Sequence, residues 1–102
     1  MFVILVHYER PLAEMDLHLD AHRAFLEKLY ASGLLLGSGR RTPPVGGVIL
    51  ARGDDRAALE AVFAEDPFVA RGVARYEYIQ FEPNPLPRRS TELEVFLGRA
   101  VV

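Results

Sequence analysis

His22 and Asp66 are the two side chains of this sequence best suited to proton chemistry. Each sits in a short segment on an apolar scaffold, Ala21-His22-Arg23-Ala24-Phe25-Leu26 and Glu65-Asp66-Pro67-Phe68, about forty residues apart. An imidazole titrates near neutrality, and a carboxylate beside it can orient the ring and favour its protonated form. Together they could remove a proton next to a carbonyl or help a leaving group depart. Each residue also has a plainer reading. His22 falls on the apolar stripe of a helix, where a histidine is often just a satisfied core residue. Asp66 stands before Pro67, the usual place of a helix N-cap followed by proline at the first helical position. The two roles of Asp66 are compatible, since a buried polar ring must find a partner or cost about 1–3 kcal/mol.

Other candidates are weaker. His7, Ser38, Gly39 and Arg40 could line a pocket beside the pair and bind substrate, although His7 could equally cap a strand at a subunit edge. Ser38 has no partner that would complete a hydrolytic triad. Its neighbours Gly37 and Gly39 are expected to serve close backbone packing, and their amides could bind an anion. Tyr8 and Tyr76 read as core or interface residues rather than catalytic phenols. Arg40, Arg41 and Arg75 offer positive charge, but exposed arginines are commonly solvated surface groups. His18 and His22 share a helix face, with His7 or Asp66 as the only third ligand in sight. They lack the intervening glutamate of the zinc-protease helix, so no metal is assigned. No cofactor is expected either. Gly37-Ser38-Gly39 is followed by proline rather than a helix, which excludes a dinucleotide fingerprint, and no P-loop is present.

The elements that must position these residues are legible from periodicity. Phe2 to Tyr8 is apolar on both faces and predicts a buried strand, broken by Pro11. A helix from about Asp16 to Ser32 places Leu19, His22, Leu26 and Leu29 on one stripe, with Gly33 as its C-cap. Leu34 to Gly39 is a second strand and Pro43-Pro44 a turn. Gly46 to Arg52 is a third strand. Asp54-Asp55 caps a helix running to about Glu65, with Leu59, Val62 and Phe63 inward. Asp66 to Val69 adds a turn or small helix ended by Gly72, and Val73 to Phe81 is the fourth strand. Pro83, Pro85 and Pro87 form a stiff exit, so residues 1–83 make the domain and 84–102 an exit segment and tail. The tail reads either as a short helix through Leu97 or as an edge strand.

The order is βαββαβ, an α+β ferredoxin-like arrangement with a four-stranded antiparallel sheet. Helices then cover one face. The other is left apolar by the first strand and by the alternating Tyr76 and Tyr78, which favours a homodimer joined through its sheet faces.

The His22 helix, Leu36-Gly37-Ser38-Gly39, Gly46-Gly47, Glu65-Asp66-Pro67-Phe68 and Gly72-Val73-Ala74-Arg75-Tyr76 together resemble the YciI-like (YCII-related) family over residues 1–83. This resemblance implies a dimeric α/β barrel with a histidine and an aspartate facing a pocket in each subunit, positions that fall on His22 and Asp66. Many members carry proline where this chain has Arg40, which alters the pocket rim. The family includes a dehydrochlorinase acting on a chlorinated aromatic, so membership implies a small-molecule enzyme with lyase-like or proton-transfer chemistry. A non-catalytic dimeric module that binds a small ligand is the alternative.

Composition bounds the rest. At 102 residues, 50% hydrophobic and 25% charged, the chain suits one globular domain. A net charge of −2 gives no footprint for nucleic acid, and a ferredoxin-like sheet that binds RNA needs aromatic residues that Gly46–Arg52 lacks. With no cysteine, disulfides and thiolate chemistry are excluded. The run Phe2–Val6 is too short for a membrane span and follows no basic stretch, so a cytoplasmic location with no membrane partner is expected.

Overall fold

In the computed structural model, which describes residues 1–84 and 91–98 without the side chain of Glu94, the first strand is β1 (Phe2–Tyr8). It is followed by α1 (Leu12–Asp16), α2 (Leu19–Ala31), β2 (Leu35–Arg40), β3 (Gly46–Ala51), α3 (Arg56–Phe63), α4 (Pro67–Ala70), β4 (Ala74–Gln80) and α5 (Thr91–Leu97). The strand order is β2-β3-β1-β4 with every neighbouring pair antiparallel, which is the ferredoxin-like topology.

Strand parity divides β1 cleanly. Phe2, Ile4 and Val6 are buried beneath the helices, where they join Leu26, Leu59, Phe63 and Phe68 in one core. Burying each of the larger side chains contributes roughly 1.5–3 kcal/mol. Val3, Leu5 and His7 point to the opposite face, which they share with Val48, Leu50 and the exposed Ile79. Tyr76 and Tyr78 do not lie there, contrary to expectation. Their register against Val6 and Ile4 puts them on the helix side, where both rings meet Phe63 at centroid distances of 5.6 and 6.5 Å. The open face of β4 instead carries Arg75, Glu77 and Ile79.

Further expectations change. The first helical region is two helices rather than one, because Pro11 starts a separate turn of helix and the chain re-enters helix only after His18. The close backbone approach lies at Gly46 rather than at Gly37 or Gly39. A Cβ on Gly46 would stand 1.8 Å from the Val6 carbonyl oxygen, whereas a Cβ on Gly37 or Gly39 would meet nothing within 4 Å. The C-cap of α2 is Ser32 rather than Gly33; Gly33, at φ 82°, is the left-handed residue just after it, and the amides of Gly33 and Leu34 return to the carbonyls of Tyr30 and Leu29.

Of the two readings of the tail, the helical one corresponds to α5, and the guanidinium of Arg52 donates to the Phe96 carbonyl there. Pro83 is buried, while Pro85 and Pro87 lie outside the described residues. Among the described residues, no helix is long and apolar enough to cross a membrane.

Candidate active site

The dipeptide Asp66-Pro67 builds one half of the site. A residue before proline is driven out of the helical region, and Asp66 accordingly sits at φ −64°, ψ 130°. That extended conformation suits an N-cap. The carboxylate turns back to accept the Phe68 amide at 3.0 Å, starting α4 with Pro67 in its first turn. The α2 stripe supplies the other half by directing His22 inward, toward α4.

The two meet. Nδ1 of His22 lies 2.9 Å from both carboxylate oxygens of Asp66. Asp66 is fully buried and His22 nearly so. The hydroxyl of Tyr76, from β4, donates to Oδ2 of Asp66. A carboxylate already receiving an N–H and an O–H is an acceptor, so Nδ1 of His22 carries the proton of this contact. Three donors around one buried carboxylate satisfy it without exposing it to water. Burial, with the negative charge and hydrogen bond of Asp66 adding to it, pushes the Tyr76 phenol far above its ordinary pKa, so it stays a neutral donor.

Phe68 supplies a second constraint on the histidine. The imidazole stacks on its ring at 4.0 Å with an interplanar angle of 5°, and Phe68 in turn meets the Tyr8 ring edge-on at 5.9 Å. The segment that carries the carboxylate thus also carries the platform. With Nδ1 engaged, Nε2 is the ring nitrogen left available, and His22 lines a cavity of about 250 Å³ between α2 and the sheet.

Ser38, Gly39 and Arg40 line that same cavity. Ser38 shares a 2.6 Å hydrogen bond with the Tyr30 hydroxyl. Arg40 donates through Nη2 to Asp16 at 2.6 Å and through Nε to the Tyr8 hydroxyl at 3.2 Å. Those two hydrogen bonds raise its already high pKa, Asp16 contributing most. His7 does not reach the cavity. Its odd position on β1 places it on the other sheet face, where Nε2 lies 2.9 Å from Glu77. His7, one of the two third ligands considered beside His18 and His22, therefore lies across the sheet from them.

Sequence reasoning missed Tyr76, Phe68 and Arg23 as parts of this site. Tyr76 was legible in principle, because Arg75 and Glu77 on either side of it mark the solvent parity of β4. Arg23 lines the cavity beside His22 and had no sequence signal beyond that adjacency.

The YCII-related domain matches residues 1–82. The chain belongs to the YCII-related family. Among solved structures, it is similar to 5-chloro-2-hydroxyhydroquinone dehydrochlorinase (TftG) from Burkholderia phenoliruptrix AC1100 in complex with 2,5-dihydroxybenzoquinone. That similarity has a TM-score of 0.62 at 18% identity over 82% of this chain and 96% of the other. It is also similar to an antibiotic biosynthesis monooxygenase, with a TM-score of 0.52 at 19% identity over 81% of this chain and 100% of that one. At such identities the likeness establishes the shared fold of this YCII-related chain. No protein of curated function matches the sequence.

Proposed function

We propose that this YCII-related protein is a small-molecule enzyme in which His22 acts as acid and base and Asp66 as its orienting partner. The observation that carries the reading is the buried Nδ1–carboxylate contact, which leaves Nε2 as the nitrogen available to a substrate in the cavity. Nε2 takes a proton from the substrate, and the electron pair left behind expels a leaving group on a neighbouring atom. The imidazolium then returns the proton to the departing group or to solvent. This is lyase-like chemistry, of the class named for the dehydrochlorinase of similar fold. Ser38, Gly39 and Arg40 form the binding wall in this scheme. Residues 1–83 are the working domain, and 84–102 are an appended segment.

The open sheet face supports a homodimer. Val3, Leu5, Val48 and Leu50 form an apolar patch across the two central strands, and a second copy of the same face would cover it. Leu5→Glu is expected to convert a dimer into monomers in analytical ultracentrifugation. A wild type that sediments as a monomer at micromolar concentration would end this part of the proposal.

The alternative is a ligand-binding module in which the pair serves the fold. It has one specific support, because Asp66 caps α4 whatever else it does. Turnover of chlorinated hydroxyhydroquinones and related small carbonyl compounds by wild type and His22→Gln separates the two. The enzymatic reading requires the variant to lose about 10²–10⁴-fold in rate while remaining folded at the assay temperature, as read by circular dichroism. Independently of substrate, ring ¹⁵N spectra of wild type and Asp66→Ala, which leaves no acceptor for Nδ1, test the coupling. A His22 tautomer that is the same in both proteins would remove the basis for the mechanism.

A further inference from the structure

Resting on the reading that the His22 cavity is the substrate site, we infer that its occupant is a small planar organic anion, with Arg23 as the residue that selects for its charge. The chain as a whole is acidic, at −2. The cavity inverts that sign. Among the described residues its lining includes the cations Arg23 and Arg40 and no aspartate or glutamate, the carboxylate of Asp66 lying behind the His22 ring. A concentration of positive groups in a cleft of an acidic protein favours an anionic guest and repels a cationic one.

The two arginines are not equivalent. Arg40 is already committed, since Asp16 at 2.6 Å compensates its charge and Tyr8 occupies its Nε. Arg23 has no ion pair and no side-chain hydrogen bond among the described residues, so all of its guanidinium donors are open to a ligand. It follows His22 directly on α2, about 100° further round the helix. Its exposed guanidinium therefore stands at the rim, on the flank of the helix that carries the ring. A planar fork at that place suits a carboxylate or phenolate, which it can grip through paired N–H donors.

Size and lining define the rest of the guest. A volume of about 250 Å³ falls just below the ~300–1,000 Å³ typical of drug-sized sites, which restricts the occupant to about one ring. Leu19, Leu26 and Phe68 give that ring an apolar bed. The class is thus a monocyclic acid or acidic phenol, its anionic oxygen toward Arg23 and its reacting atom toward Nε2.

Benzoate and benzamide, equal in shape but different in charge, test this by NMR titration with the His22 ring resonances as reporter. Benzoate is expected to bind about tenfold more tightly than benzamide, a difference of about 1.4 kcal/mol, and raised salt should erode the preference. Arg23→Gln, an exposed substitution that should leave the melting temperature unchanged, is expected to bring the ratio near one. Arg40→Gln should lower it less, because Asp16 already offsets that charge. Equal binding of the two probes to wild type would overturn the anion assignment, and a benzoate preference that survives undiminished in Arg23→Gln would overturn the role of Arg23. If neither probe shifts the His22 resonances, the cavity itself is not the binding site, and the substrate reading falls with this one.

Discussion

Two histidine–carboxylate pairs lie on opposite faces of the same sheet, and both close at 2.9 Å. His22–Asp66 lies under the helices with side-chain exposures of 11% and 0%, whereas His7–Glu77 lies on the open face at 27% and 48%. Distance does not distinguish them. The difference is what surrounds each carboxylate. Asp66 also receives the Phe68 amide and the Tyr76 hydroxyl, and the His22 ring is clamped against Phe68. Among the described residues, Glu77 has only His7, in a setting where water and salt compete for both partners. A buried carboxylate fixed by several donors imposes one tautomer and one ring orientation. An exposed one does neither.

The largest effect that would break this contrast is expected at Asp66. Asp66→Ala should cost about 3–5 kcal/mol in chemical denaturation, because it strands a buried imidazole and a buried phenol and removes the α4 cap. A loss under 1 kcal/mol would mean the buried network is no more than the exposed pair in another place.

Tyr76→Phe ranks next, at about 1.5–3 kcal/mol for a hydrogen bond to a charged group. It carries a pH signature as well. The folded state holds the Tyr76 proton well above the ordinary phenol range, whereas an unfolded tyrosine ionises near pH 10. The unfolded chain therefore binds fewer protons above that pH, and stability must fall as the solution becomes more alkaline. Tyr78, pushed up to about 12 chiefly by burial and then by Glu60, adds to the same slope. Melting temperatures measured across this range should decline in wild type and decline less in Tyr76→Phe. Parallel profiles for the two proteins would remove Tyr76 from the network.

The smallest effect is expected on the open face, where His7→Gln or Glu77→Gln should change stability by about 0–1 kcal/mol and less at high salt. Ring ¹⁵N spectra sharpen the contrast further. His22 should report a single tautomer protonated at Nδ1. His7, bonded through Nε2 at a half-exposed site, should show an averaged signal. A single fixed tautomer at both histidines would make the two pairs equivalent after all.

How much of this was legible beforehand varies by residue. The helical stripe and the Asp-Pro cap single out His22 and Asp66, while their meeting at one pocket is what the resemblance to the YciI-like family implies. His7 was not placed correctly on the cavity, although its shared parity with Val3 and Leu5 already pointed away from the helices. Tyr76 was assigned to the wrong face, because an aromatic residue in a strand looks apolar until its polar neighbours Arg75 and Glu77 are weighed. The glycines of β2 were given a packing role that belongs to Gly46, whose need depends on how closely β1 passes.

By itself the sequence determined the element order, the residue pair and the turn chemistry that presents it, because periodicity, caps and proline restrictions act within a few residues of chain. Only the tertiary structure decided which sheet face each strand residue meets, that Arg40 is tied to Asp16 while Arg23 is open, and that a tyrosine from β4 completes the Asp66 shell. Those outcomes depend on register between distant strands and on which face the helices cover. A shift of one residue in either would exchange every inward side chain for an outward one.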